Sequence, residues 1–138
     1  MTIIIRPYRD EDGEAVIALW RDCHLVVPAN DPQTDILLKI RFQPDLFLVG
    51  YREAGELVAT VMAGYEGHRG WINYLAVAPT HRRQGIGRKM MAAAEVRLRA
   101  LGCPKINLQV RRGNTAVIDF YRRIGFSEDD VVSLGKRI

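Results

Sequence analysis

The chain is short of cysteine, histidine and long apolar runs, and each shortage removes a class of protein. Only Cys23 and Cys103 occur in 138 residues. With no C-x-x-C pair they form neither a disulfide framework nor a zinc knuckle, so both are expected to be reduced and partly buried. His24, His68 and His81 are too scattered for a metal site, and no metal is expected. No apolar run approaches the roughly 18 residues that span a bilayer. The N-terminal stretch MTIIIRPYRDEDGE is too briefly apolar and too acidic for a signal or transit peptide. No membrane partner is expected, and a cytoplasmic location follows by default. Internal repeats, low-complexity tracts and linkers are also missing. Residues 1–138 therefore read as one domain, large enough to bury a core without staples.

What is present is an ordinary globular composition, 48% hydrophobic and 26% charged. The formal net charge of +4 is modest and favours an anionic small ligand. Nucleic acid is not expected, because no recognition helix or RNA-binding aromatic motif accompanies the basic residues. Strands are predicted at Ile3–Arg6, Leu46–Arg52, Leu57–Tyr65, Trp71–Val77, Ile106–Val110 and Val131–Leu134. Helices are predicted at Gly13–Cys23, Thr34–Phe42, Gly85–Leu101 and Asn114–Ile124. The order β-α-α-β-β-β-α-β-α-β indicates a mixed α/β sheet flanked by helices. Within Trp71–Val77, alternation puts Ile72, Tyr74 and Ala76 on one face and Trp71, Asn73, Leu75 and Val77 on the other. Both faces are largely apolar, so the strand is expected to lie buried between helices.

The densest signal runs from Trp71 to Leu101. A strand feeds a basic, glycine-punctuated turn that opens a helix, where unpaired N–H groups and the positive dipole end favour an anion. Gly85 and Gly87 permit positive φ and close approach of a ligand. Arg82, Arg83, Arg88 and Lys89 surround them with positive charge. The expected ligand is a polyphosphate. A Walker loop is excluded because Arg88 and Lys89 follow Gly87 with no hydroxyl for magnesium, and a dinucleotide fingerprint because Met90 replaces its third glycine. The plainer alternative is a shaped turn with a solvated basic rim.

The spacing R-x-x-G-x-G at Arg82, Gly85 and Gly87, between an apolar strand and an amphipathic helix, resembles the acyl-CoA signature of the GNAT acetyltransferases. A second stretch, Asn114, Val117, Phe120, Tyr121, Gly125 and Phe126, is similar to that family's other signature, and the element order matches too. Small single-domain bacterial members, among them protein N-terminal acetyltransferases, look closest. The resemblance implies a GNAT fold, a mixed sheet of about six to seven strands flanked by about four helices. It further implies an N-acetyltransferase that moves acetyl from acetyl-CoA, its co-substrate, directly to an amine. Acceptors of such enzymes include protein N-termini, lysines and small amines.

Carried over position by position, the resemblance implies cofactor binding by Arg82, Arg83, Gln84, Gly85, Ile86, Gly87 and Arg88. It adds the backbone of Leu75, Ala76 and Val77 along the pantetheine arm, and Asn114. It implies that Tyr121 is the acid that protonates the leaving thiolate. Tyr121 could instead only pack beside Phe120, and Asn114 only cap its helix. The central strand lacks the Glu that relatives often use as base; Glu66 and His68 lie just upstream in a turn, where an exposed turn residue is the plainer reading. Acceptor loops are expected at Cys23–Gln33, with Asp31 and Asp35 either drawing a cationic amine or capping the second helix. A non-catalytic acyl-CoA sensor or interaction domain on the same fold is the alternative, and the assembly is expected to be a monomer or a homodimer.

Overall fold

A computed structural model describes residues 2–138. Its contacts divide the chain into two units, Met1–Leu108 and Gln109–Ile138. The first carries β1 (Ile3–Pro7), α1 (Gly13–Asp22), α2 (Pro32–Lys39), β2 (Phe47–Arg52), β3 (Leu57–Tyr65), β4 (Gly70–Val77), α3 (Ile86–Ala100) and β5 (Ile106–Leu108). The second carries α4 (Thr115–Arg123). The five strands form one sheet in the order β1-β2-β3-β4-β5. β1 to β4 pair antiparallel and β5 runs parallel to β4. The architecture is mixed α/β, as the element order implied. No helix among the described residues is long and apolar enough to cross a membrane.

Two expectations are corrected. Val131–Leu134 forms no strand, and its Val131, Val132 and Leu134 are 78%, 82% and 91% exposed. β-Branched propensity alone does not order a segment that no ladder receives, so the sheet has five strands and not six or seven. The second helix is shifted relative to Thr34–Phe42, because Pro32 occupies its first turn, where a missing N–H costs nothing. It ends at Lys39, and Gln43, at φ 53°, turns the chain into Pro44.

α1 packs on one face of the sheet. Its Val16, Leu19 and Trp20 are buried at the spacing of one helical stripe, against Phe47, Val49, Met62 and Ala76. Trp20 stacks on Phe47 and on Tyr74, the latter at a centroid distance of 3.7 Å. Its indole N–H donates to Thr60 Oγ1 at 2.9 Å, and that hydroxyl donates to the Tyr74 carbonyl at 2.8 Å. Thr60 is fully buried. Thr60→Val keeps the shape and removes both bonds, leaving a buried indole N–H without an acceptor. It should cost about 1–3 kcal/mol, read as a shift of the denaturant midpoint with the slope unchanged.

On the opposite face, α3 buries Met90, Met91, Ala94 and Leu98, which recur at helical spacing, while Leu101 is 50% exposed. β3 outruns β2, whose ladder ends at Phe47 opposite Met62. Side chains continue the pairing beyond that point. Lys39 Nζ donates to Ala63 O at 2.5 Å, and the Gln43 amide both donates to Tyr65 O and accepts from Tyr65 N, each at 2.8 Å.

Candidate functional site

β4 is irregular at its middle. Thr60 pairs with Ala76 and Met62 with Asn73, so Tyr74 and Leu75 together oppose Val61 in a β-bulge. Tyr74 takes φ 51°, a region an aromatic residue rarely enters. The Trp20 stack, the Thr60 hydroxyl on its carbonyl, and its own hydroxyl donating to Asp35 Oδ2 at 2.5 Å hold it there. Burial and that carboxylate both push the Tyr74 phenol upward, so it stays protonated. The bulge also corrects the expected alternation. Ile72 stays in step with Gly70, where a Cβ would meet Leu98 of α3, whereas Tyr74 and Ala76 join the core against α1. Trp71 and Asn73 are exposed, so this strand is not covered on both faces throughout.

The ladder from β4 to β5 covers only Gly70, Trp71 and Ile72. From Asn73 onward β5 provides no partner for that edge. Ala78 N donates to Val58 O at 2.8 Å, so by ladder alternation Ala76 turns its polar groups toward β3 and Val77 turns its own outward. The Val77 carbonyl receives Arg82 Nε at 3.2 Å and Cys23 Sγ at 3.3 Å. Of the three strand residues singled out by sequence, Leu75 lies in the bulge, Ala76 is buried and Val77 faces the open edge.

The glycine turn follows directly. Arg83 has φ 63° and Gly85 φ 77°, so the left-handed residues are these two, and Gly87 lies instead within the first turn of α3. Ile86 is 1% exposed and pins that turn to the core. Arg82, Arg83, Gln84, Gly85 and Arg88 are exposed and Gly87 is half-buried. Gly85 gives α3 no side-chain cap, and the first turn holds no acid. A helix start with free N–H groups, no counter-charge of its own and arginines beside it is built to take an anion.

In the second unit, Asn114 stands before α4, yet its side chain makes no capping hydrogen bond. Capping alone therefore does not account for it. Tyr121 is 8% exposed, flanked edge-on by Phe120 and Phe126 at centroid distances of 5.1 and 5.5 Å. Burial pushes its phenol up to about 12. Phe126 N donates to Tyr121 O at 3.0 Å and Gly125 takes φ 105°, closing the helix end.

Of the two upstream candidates for a base, the carboxylate is not free. Glu66 accepts the backbone N–H groups of Arg69 and His68, and these bonds hold its carboxyl below the usual range. It is a turn-stabilising residue and a weak base. Asp31 accepts the Thr34 hydroxyl at 2.7 Å at the start of α2, and Asp35 is held by Tyr74. Sequence reasoning passed over Lys39, which is only 8% exposed. The available signal was its place three residues after the buried Ile36, on the apolar side of a short helix. With Phe42, Met62, Gly64, Trp71 and Asn73 it lines a cavity of about 240 Å3.

Comparison with known proteins bears on this arrangement. A model described as the acetyltransferase (GNAT) family matches residues 13–126. An acetyltransferase of Pectobacterium atrosepticum is 48% identical over 134 residues, which cover 97% of this chain and 94% of that protein. Ard1 from Thermoplasma volcanium superposes with a TM-score of 0.77 at 25% identity, over 92% of this chain and 84% of that one. The PaiA N-acetyltransferase of Thermoplasma acidophilum, solved in complex with coenzyme A, shares the fold with a TM-score of 0.79 at 20% identity, over 96% and 94% of the two chains.

Proposed function

The chain belongs to the GNAT acetyltransferase family, and on that premise we propose that it moves the acetyl group of acetyl-CoA directly onto an amine. The observation that carries this reading is the pair of backbone features joined by Ala78–Gln84. These are a β4 edge left unpaired by β5 after Ile72 and an uncapped, acid-free start of α3. In the proposal the N–H groups of Gly85 to Arg88 hold the pyrophosphate, with Arg82, Arg83 and Gln84 beside it. The edge from Leu75 to Val77 carries the pantetheine arm, and Asn114 contributes a further contact.

The chemistry asks for a neutral amine and a proton for the departing sulfur. The amine nitrogen attacks the thioester carbon, a C–N bond forms, and the C–S bond breaks. Tyr121 gives the thiolate its proton, and the proton that the nitrogen releases returns through water to the Tyr121 oxygen. With Glu66 bound in its own turn and no carboxylate on β4, the proposal gives the chain no dedicated base. The acceptor therefore arrives unprotonated. That same absence is what favours the second reading, an acyl-CoA sensor without turnover. Acceptors within the proposal are protein N-termini, lysines or small amines.

Calorimetric titration with acetyl-CoA and with ATP, followed by thiol release across amine classes, tests it. Micromolar binding of acetyl-CoA, little of ATP, and release with at least one amine are expected. Binding without release by any amine would support the sensor, and absence of binding would refute both.

A further inference from the structure

The cavity beside the end of α2 is not used by the acetyl transfer described above. Phe42, Met62 and Trp71 give it apolar walls, Asn73 a polar one, and Glu66 of the turn after β3 also lines it. Lys39 brings an ammonium group to its lining. That ammonium lies 5.6 Å from the centre of the Phe42 ring and donates to Ala63 O. Among the described residues no carboxylate lies within ion-pair distance of it. Burial lowers its pKa to about 8, and the more distant Asp45 offsets only part of that.

Capping the end of β3 does not require this charge. The bond to Ala63 O uses one of the three donors that an ammonium carries. Two residues along the same strand, Gln43 satisfies Tyr65 with a neutral amide. A buried cation without a counter-ion is costly, and a neutral side chain would avoid that cost. The lining thus holds one positive charge with no ion-pair partner, because its one carboxylate, Glu66, is taken up by the backbone N–H groups of His68 and Arg69. Its position is also informative. Asn73 of the lining adjoins the bulge, and Ala63, which holds Lys39, is two residues from Val61 opposite the bulge. At a rise of about 3.3 Å per residue, roughly 7 Å separate the two points along the strand.

We propose that this cavity anchors the acceptor and that Lys39 binds a carboxylate on it, so that the acceptor is a small amino acid whose amine and carboxylate stand several ångströms apart. The proposal rests on the acetyltransferase reading for where the reacting amine sits. Specificity comes from the far end of the acceptor, and its amine extends along β4 toward Tyr74 and Leu75.

The test titrates 4-aminobutanoate and its uncharged partner 4-aminobutanamide into the protein, followed by calorimetry. The carboxylate is expected to bind at least about tenfold more tightly than the amide, because a site built for a charged partner rejects its neutral analogue. Lys39→Met should abolish that difference while leaving the melting temperature unchanged or higher. A purely structural Lys39 would lower the melting temperature and leave the difference in place. Gly64→Ala provides a second variant. Its methyl would sit 3.5 Å from Lys39 Nζ, an ordinary contact, so the fold is retained and carboxylate binding falls several-fold. Equal affinities, no carboxylate binding, or a difference that survives in Lys39→Met would each overturn the proposal. Acetyl-CoA affinity, measured on the same proteins, should not change. Acetyl-CoA binding without carboxylate selectivity removes this pocket alone, whereas selectivity without acetyl-CoA binding removes the transferase reading and with it the acceptor role.

Discussion

Tyr121→Phe should lower turnover by about tenfold to a hundredfold with acetyl-CoA affinity unchanged. The substitution removes one oxygen from a ring that is packed edge-on between Phe120 and Phe126 and almost wholly covered, so the fold has no reason to respond. The pH profile supplies a second readout. Burial disfavours the phenolate and carries the Tyr121 pKa up to about 12, so the acid form persists well above the ordinary phenol value. In the unmodified enzyme the rate should rise as the acceptor amine loses its proton and then hold level to about pH 11. The Phe variant should keep the rising limb at a lower plateau. A descending limb near pH 9 would assign the proton to another group, and unchanged turnover would remove Tyr121 from the mechanism.

Gly85→Val should weaken acetyl-CoA binding by about a hundredfold, equivalent to roughly 2.7 kcal/mol. Two causes add. A β-branched residue is strained at φ 77°, and a side chain there stands where the proposal puts the ligand phosphates. A Cβ at Gly85 meets no protein atom within 4 Å, so crowding inside the protein is not a third cause. Gly85→Asn separates the first two, because Asn tolerates the left-handed region. A loss of about tenfold in the Asn variant, with an unchanged melting temperature, would come from the ligand side alone. Full affinity in both variants would place the pyrophosphate elsewhere.

Much of this arrangement was legible before any coordinates. Val16, Leu19 and Trp20 announce α1 by spacing, although Ala15, at the same spacing, is exposed, and Gly85, beside its arginines, marks the start of α3 because few other residues serve there. What could not be read arises between segments. The bulge at Tyr74 follows from a register mismatch with β3 and carries no glycine to advertise it, so strict alternation misassigned Ile72 and Tyr74 to one face. Val131–Leu134 has strand-like composition, but pairing depends on a neighbour that composition does not contain. Lys39 reads as one more surface lysine until α2 is docked on the sheet. Asp35 reads as a helix acid until Tyr74 turns toward it.

The side chains that finish β3 carry a consequence for self-association. A strand that runs past its neighbour offers bare N–H and C=O groups to any extended chain, the usual route to edge-to-edge aggregation. Here Lys39 and Gln43 occupy Ala63 and Tyr65 from the side, so that border is sealed by residues of the preceding helix and turn. Shortening Gln43 to Ala would reopen it. The expected sign is slow, concentration-dependent thioflavin-positive assembly in a protein whose enzymatic groups are all intact.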